Sequence, residues 1–125
     1  MALAGIGVDM LEIARMERTM RRRPSFLRRV FTEEERAYCA ACARPAEHYA
    51  ARFAAREAVV KALGTGFSQG IGPRQIEICN TPEGKPQLRF LDCAARRAQA
   101  LGVRRRHVSL SHDRGAAVAL VVLED

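Results

Sequence analysis

The sequence predicts an α+β fold: about five mainly antiparallel strands packed with one long buried helix and two or three further helices. Three observations carry this reading. Arg52 to Gly66, Arg-Phe-Ala-Ala-Arg-Glu-Ala-Val-Val-Lys-Ala-Leu-Gly-Thr-Gly, is apolar on nearly every side at helical spacing, so protein must surround it. Elsewhere apolar residues alternate with polar ones, as Ile76 and Ile78 and then Val108 and Leu110 do, which is the period of a strand with one buried face. Short turns, Asn80-Thr81-Pro82-Glu83-Gly84 and His112-Asp113-Arg114-Gly115, join successive strands as hairpins and make them antiparallel. No linker or repeat interrupts the 125 residues, so residues 1–125 are expected to form one domain around a real core.

The elements follow in order. Gly5-Ile6-Gly7-Val8-Asp9 reads as a short strand with Ile6 and Val8 on one face and Asp9 closing it on the other. Its glycines do not make a dinucleotide fingerprint, because Met10 stands where G-x-G-x-x-G needs Gly. Ile13, Met16 and Met20 mark a helix over Glu12–Arg23 buried on one stripe, ended by Pro24. Phe26, Leu27, Val30 and Phe31 form a short helical turn. Thr32-Glu33-Glu34-Glu35 is a capping box, with Thr32 at the cap and Glu35 reaching back. That helix carries Tyr38 and ends before Arg44-Pro45, and the main helix starts near Ala46. Gly64 supplies the left-handed residue that closes it, and a loop runs to Gly72. Gln75–Cys79 and Pro86–Phe90 pair as strands. Asp92 is expected to cap a helix through Leu101, stopped by Gly102. Two final strands follow, with Ser109 and Ser111 facing out and Ala116–Leu123 strongly apolar.

Composition narrows the class. Twenty-one basic residues against 14 acidic ones leave a charge of +7, which attracts acidic partners. Seven arginines fall between Arg15 and Arg29 with only Glu17 to offset them. No run approaches the 18 or so apolar residues of a membrane span, and the Met-Ala-Leu-Ala-Gly start lacks a signal peptide's features. A cytoplasmic protein with no membrane partner is expected. Of four cysteines, Cys39 and Cys42 form a C-x-x-C without a second ligand pair, so free thiols are expected rather than a thiolate metal site.

Glu57 and Lys61 stand four apart on the apolar helix in the favourable order, and the bland reading is an ordinary ion pair. Asp9 on its own reads as a surface residue before a turn, and His112 as a turn residue at a strand end. Taken together, two carboxylates suit Mg²⁺ completed by substrate phosphates, and Lys61 with nearby arginines suits the phosphates themselves. A Mg²⁺-dependent phosphate-ester enzyme is thus one reading. The rival, a basic nucleic-acid-binding module, lacks a stacking platform, because the aromatics lie mostly at core spacing.

The ordered set Gly5-Ile6-Gly7-Val8-Asp9-Met10-Leu11-Glu12-Ile13, Phe31-Thr32-Glu33, Arg52-Phe53-Ala54-Ala55-Arg56-Glu57-Ala58, Lys61-Ala62-Leu63-Gly64-Thr65-Gly66, Gly84-Lys85-Pro86 and Ser109-Leu110-Ser111-His112 resembles the motifs of the holo-acyl carrier protein synthases. These are the small bacterial class of 4′-phosphopantetheinyl transferases, and the likeness runs from Gly5 to Leu123. It implies the 4′-phosphopantetheinyl transferase fold and transfer of 4′-phosphopantetheine from coenzyme A to a serine of an apo acyl carrier protein, releasing adenosine 3′,5′-bisphosphate. The carrier would serve fatty-acid or polyketide synthesis. By the same resemblance, Asp9 and Glu57 match the magnesium carboxylates and Lys61 the catalytic lysine near the phosphates. Arg44, Arg52, Lys61, Gly64, Thr65, Gly66, Lys85, Pro86 and His112 match coenzyme-binding positions, with His112 near the nucleotide end. Arg15, Arg22 and Arg29 match positions that dock the acidic carrier. The family's trimers, with active sites between subunits, imply a homotrimer here. Where the family usually has Lys this chain has Arg56, so no phosphate contact is carried over to that position.

Overall fold

The computed structural model describes residues 2–125. The expected α+β architecture is present, built from β1 (Leu3–Glu12), α1 (Ile13–Arg22), α2 (Phe26–Val30), α3 (Glu33–Ala41), α4 (Pro45–Leu63), β2 (Ile76–Asn80), β3 (Pro86–Phe90), α5 (Asp92–Ala100), β4 (Arg105–His112) and β5 (Ala116–Glu124), with a 3-10 turn at Pro73–Gln75 before β2. The strands divide into two antiparallel sheets, one ordered β1-β5-β4 and the other the β2-β3 hairpin. Between β3 and β4 no main-chain ladder forms. The Leu88 carbonyl instead accepts from the Arg106 guanidinium at 3.3 Å, which also lies 4.6 Å over the Phe90 ring.

Five helices stand where fewer were expected, because the turn at Phe26 closes into α2: the Phe31 amide donates to the Leu27 carbonyl at 2.9 Å. The capping box is present in full, with Glu35 accepting from the Thr32 amide at 3.0 Å. Asp92 does not cap α5. It lies inside the helix with a φ of +48°, the cap position falls to Leu91, and the Ala94 amide is satisfied by Gln75 Oε1 at 3.0 Å instead.

Helix α4 is the axis of the molecule. Pro45 suits its first turn, where a missing N–H costs nothing, and Gly64 ends it with a φ of +76°. Its Ala54, Ala55, Ala58, Val59, Ala62 and Leu63 join Ile76, Ile78, Leu88, Phe90, Ala94 and the inward residues of β5 in the main core. A second core forms where α1, α2 and α3 close over Tyr49, Ala50 and Ala51. Burying a side chain such as Phe31 or Leu63, neither of them exposed by more than 1%, is worth about 1.5–3 kcal/mol.

The α4-facing side of β1 carries Gly5 and Gly7 where a side chain would be expected. A Cβ on Gly5 would overlap the Ala62 carbonyl oxygen, and one on Gly7 that of Ala58. The strand therefore lies backbone to backbone on the helix. Ile6, Val8 and Met10 point the other way and are 58%, 55% and 65% exposed. They share this outer face with Leu120, opposite Val8, and with Ser109, opposite Leu120.

Candidate active site

Asp9 follows Gly5 and Gly7 on the inward side of β1. It is not at a strand end as expected but within a ten-residue strand. Because the glycines bring β1 against α4, Asp9 reaches the sector of the helix that carries Glu57 and Lys61. Lys61 Nζ donates to Asp9 Oδ1 at 2.9 Å and to the Val8 carbonyl at 3.0 Å. Glu57 is in no ion pair among the described residues: Lys61 pairs with Asp9 across the contact, and the bland reading of an ordinary Glu57–Lys61 pair does not hold. Partial burial pushes the Glu57 carboxyl above its ordinary value, nearby Asp9 adds to this, and Lys61 opposes it. Two carboxylates thus stand near one ammonium, which is bonded to only one of them, Asp9. A surplus negative charge with hard oxygen donors fits a divalent cation such as Mg²⁺.

A cleft of ≈ 680 Å³ opens beside these carboxylates. Asp9, Glu57, Phe26 and Phe53 line it together with Arg15, Arg18, Arg22 and Arg23. Arg15 and Arg22, two of the three expected docking residues, therefore share a cleft with the carboxylates. Arg29 lies exposed on α2 outside that lining. The Gly64-Thr65-Gly66 segment leaves α4 just beyond Lys61. Its amides fold back onto the helix end, Gly64 to the Lys61 carbonyl and Thr65 and Gly66 to that of Val60, at 3.1–3.2 Å, as in a helix C-cap.

The other expected coenzyme residues gather elsewhere. Arg44 stands 3.4 Å from Glu47 Oε1, and Glu47 Oε2 stands 3.5 Å from His112 Nδ1. The His112 ring lies 5.7 Å from that of His48, which lies 5.9 Å from Tyr38. Arg52 sits 4.4 Å over the Tyr38 ring and donates to Asn80 Oδ1 at 2.6 Å, and Asn80 donates to the Gly84 carbonyl at 3.1 Å, next to Lys85 and Pro86. Arg44, His112 and Arg52 thus belong to one continuous band that reaches the Gly84 turn, whereas Lys85 and Pro86 line a cleft with Arg104, Arg106 and His107. Within the band Arg52 is buried, and its Nε has no hydrogen-bond partner among the described residues. Burial, then Arg52 and His112, pull the His48 imidazole below its ordinary value, which keeps it neutral at physiological pH.

The two groups spread along α4: at 1.5 Å per residue Arg44 and Lys61 stand about 25 Å apart, while Arg52 and Glu57, the nearest members on the helix, are about 7.5 Å apart.

Sequence reasoning missed Glu47, His48 and Asn80. Glu47 and His48 fall in the first turn of α4, where they read as dipole-matching and incidental, and Asn80 reads as a turn residue. Arg56 was recognised as a departure but its partner was not: it is fully buried and ion-paired with Glu35. As for the thiols, burial pushes Cys39 up to about 12, and the Cys42 thiol donates to the Tyr38 carbonyl at 3.3 Å.

Residues 5–121 match the model of the 4′-phosphopantetheinyl transferase superfamily. A holo-[acyl-carrier-protein] synthase of Desulfovibrio desulfuricans is 50% identical over 123 residues, 98% of each chain. The chain belongs to this superfamily. Among solved transferases, the holo-[acyl-carrier-protein] synthase of Neisseria meningitidis superposes with a TM-score of 0.88 at 32% identity, covering 99% of this chain and 100% of that one. A Bacillus anthracis holo-(acyl-carrier-protein) synthase, solved in complex with CoA (3′,5′-ADP), gives 0.80 at 36% identity, covering 97% and 96%. The chain is thus an enzyme of the phosphopantetheinyl transferase family, of the kind that acts on acyl carrier protein. In this transferase no described helix is long and apolar enough to cross a membrane.

Proposed function

We propose that the chain transfers 4′-phosphopantetheine from coenzyme A to a serine hydroxyl of an apo acyl carrier protein in a Mg²⁺-dependent reaction in the cytoplasm, releasing adenosine 3′,5′-bisphosphate. The observation that carries the reading is the convergence of Asp9, ion-paired with Lys61, and Glu57, unpaired among the described residues, in a cleft walled by arginines. In the reaction the serine oxygen forms a bond to the pantetheine-bearing phosphorus. The bond from that phosphorus to the bridging oxygen breaks, adenosine 3′,5′-bisphosphate leaves with the electron pair, and the serine hydroxyl's proton passes to solvent.

Asp9 and Glu57 hold the metal, which supplies Lewis-acid stabilisation of charge on the pyrophosphate. Lys61, already fixed by two acceptors, places an ammonium beside the same phosphates. Arg44, Lys85, Pro86 and His112 bind the nucleotide end, with Arg52 supporting them from beneath through Asn80. Gly64, Thr65 and Gly66 pass beside the pantetheine phosphate. Arg15, Arg22 and Arg29 attract the acidic carrier. The apolar outer face of the β1-β5-β4 sheet, with Ile6, Val8, Met10 and Leu120 exposed, supports a homotrimer in which one subunit's carboxylates work with a neighbour's nucleotide-binding band.

The test is purified protein with coenzyme A, Mg²⁺ and an apo acyl carrier protein, followed by intact mass of the carrier and chromatography of the nucleotide. A phosphopantetheine-sized gain with adenosine 3′,5′-bisphosphate released is expected. No mass gain in any metal condition overturns the reading.

A further inference from the structure

Arg56 precedes Glu57, about 100° away around α4, and its side chain is buried in the core. Its side chain makes three separate ties. Nε donates to the Pro73 carbonyl at 3.0 Å, one terminal nitrogen donates to the Arg52 carbonyl at 3.3 Å, and the other is paired with Glu35. Phe31 packs beneath the guanidinium, 4.6 Å from its ring centre. Neither side chain of the ion pair is exposed to solvent. Glu35 carries the network onward, since its second oxygen accepts from the Ile78 amide of β2 at 3.1 Å.

Two of the ties lead toward segments that the proposed function assigns to coenzyme A. Pro73 opens the 3-10 turn that follows the loop begun at Gly64. Ile78 lies two residues before Asn80, which holds both Arg52 and the Gly84 turn. The far end of the Gly64 loop and the strand that leads to the Gly84-Lys85-Pro86 turn are therefore both fastened to that helix at one residue, beside the metal carboxylate. A guanidinium fork suits the task because its donors point in fixed, divergent directions.

Resting on the function proposed above, we infer that the Glu35–Arg56 pair is a positioning device for coenzyme A: it sets the glycine loop and the Gly84-Lys85-Pro86 turn relative to Glu57 without touching the substrate. A buried pair of this kind fixes geometry more than it adds stability. Removing either partner should let both segments drift together, so the two substitutions should have one shared effect.

The experiment compares Glu35→Gln, Arg56→Gln and the double variant with the unaltered enzyme, reading KM for coenzyme A, KM for the carrier and kcat, with far-UV circular dichroism as the folding control. Each single variant should raise KM for coenzyme A by about tenfold or more and leave KM for the carrier within about threefold. The double variant should be no worse than the worse single one, since residues acting as one unit are not additive. Arg56→Lys, which keeps the ion pair, should recover much of the loss. If Glu35→Gln leaves KM for coenzyme A normal while Arg56→Gln raises it, Arg56 contacts phosphate directly and the inference fails. Should the single variants not fold, the double variant, which leaves no unpaired buried charge, decides: a normal KM overturns the inference and a raised one supports it. Absence of transfer by the unaltered enzyme would instead refute the function on which this rests.

Discussion

Lys61 and Asp9 are joined across the β1–α4 contact at 2.9 Å, and Glu57, one turn before Lys61, stands outside the pair. The ammonium therefore offsets one carboxylate while competing with any cation that the two carboxylates bind.

Lys61→Met should separate those effects. Loss of the ammonium beside the phosphates should lower kcat by about 100-fold, in the range of single electrostatic contributions to catalysis. Loss of a like charge near the metal should shift the Mg²⁺ titration about tenfold toward lower concentration, or about 1.4 kcal/mol. A Mg²⁺ midpoint that moves upward would contradict the placement of Lys61.

Glu57→Gln should abolish transfer and raise thermal stability near neutral pH. The folded carboxyl titrates above its ordinary value of 4.5 because of burial and Asp9, so the folded state holds this proton more tightly than the unfolded chain. Its contribution to stability is present below 4.5 and is lost as pH rises through the raised value. The variant, with no proton to lose, should melt higher than the parent at pH 7.5 and similarly below pH 4.5, as thermal scans in metal-free buffer would show.

Gly7→Ala adds a methyl group where the Ala58 carbonyl already stands. The strand must lift from the helix, at a cost of roughly 3 kcal/mol or more, and Asp9 moves with it. Denaturant unfolding and Mg²⁺ titration should both register the change. A variant as stable as the parent would show that the contact is looser than described.

Arg15→Glu with Arg22→Glu should raise KM for the carrier protein at least tenfold and leave KM for coenzyme A within about threefold. The parent's carrier KM should also climb with salt, because the attraction is screened. Equal loss of both substrates would break the proposed division of labour.

Val8→Lys places a charge in the middle of the exposed apolar sheet face, beside Leu120. Sedimentation should show smaller assemblies with reduced transfer. Unchanged mass and activity would remove this face from subunit contact.

The long elements were legible in the sequence because their signals are local. Helix α4 declared itself through its run of alanines, and the Pro86–Phe90 strand and the Thr32–Glu35 box through turn and capping chemistry. The residues of the candidate site could be named, but their partners could not. Periodicity puts Ile6 and Val8 on one face of β1 without saying that this face is the outer one, because two glycines leave the inner face without side chains. Likewise Lys61 belongs to Asp9 rather than Glu57 only because β1 comes so near. Glu35 and Arg56 lie 21 residues apart, and local spacing carries no information about a pair set by the packing of α3 on α4. Asp92 was misread because the cap at α5 comes from Gln75, which precedes it by 17 positions.

The glycine-backed seam between β1 and α4 also bears on motion. With no side chain to rotate or repack between the two backbones, Asp9 and Glu57 move as parts of one stiff block. Whatever opens for substrate to enter and product to leave must lie elsewhere: in the arginine-bearing helix α1, in the loop beyond Gly64, or between neighbouring copies of the chain. Amides along this seam should consequently be among the last in the protein to exchange with solvent.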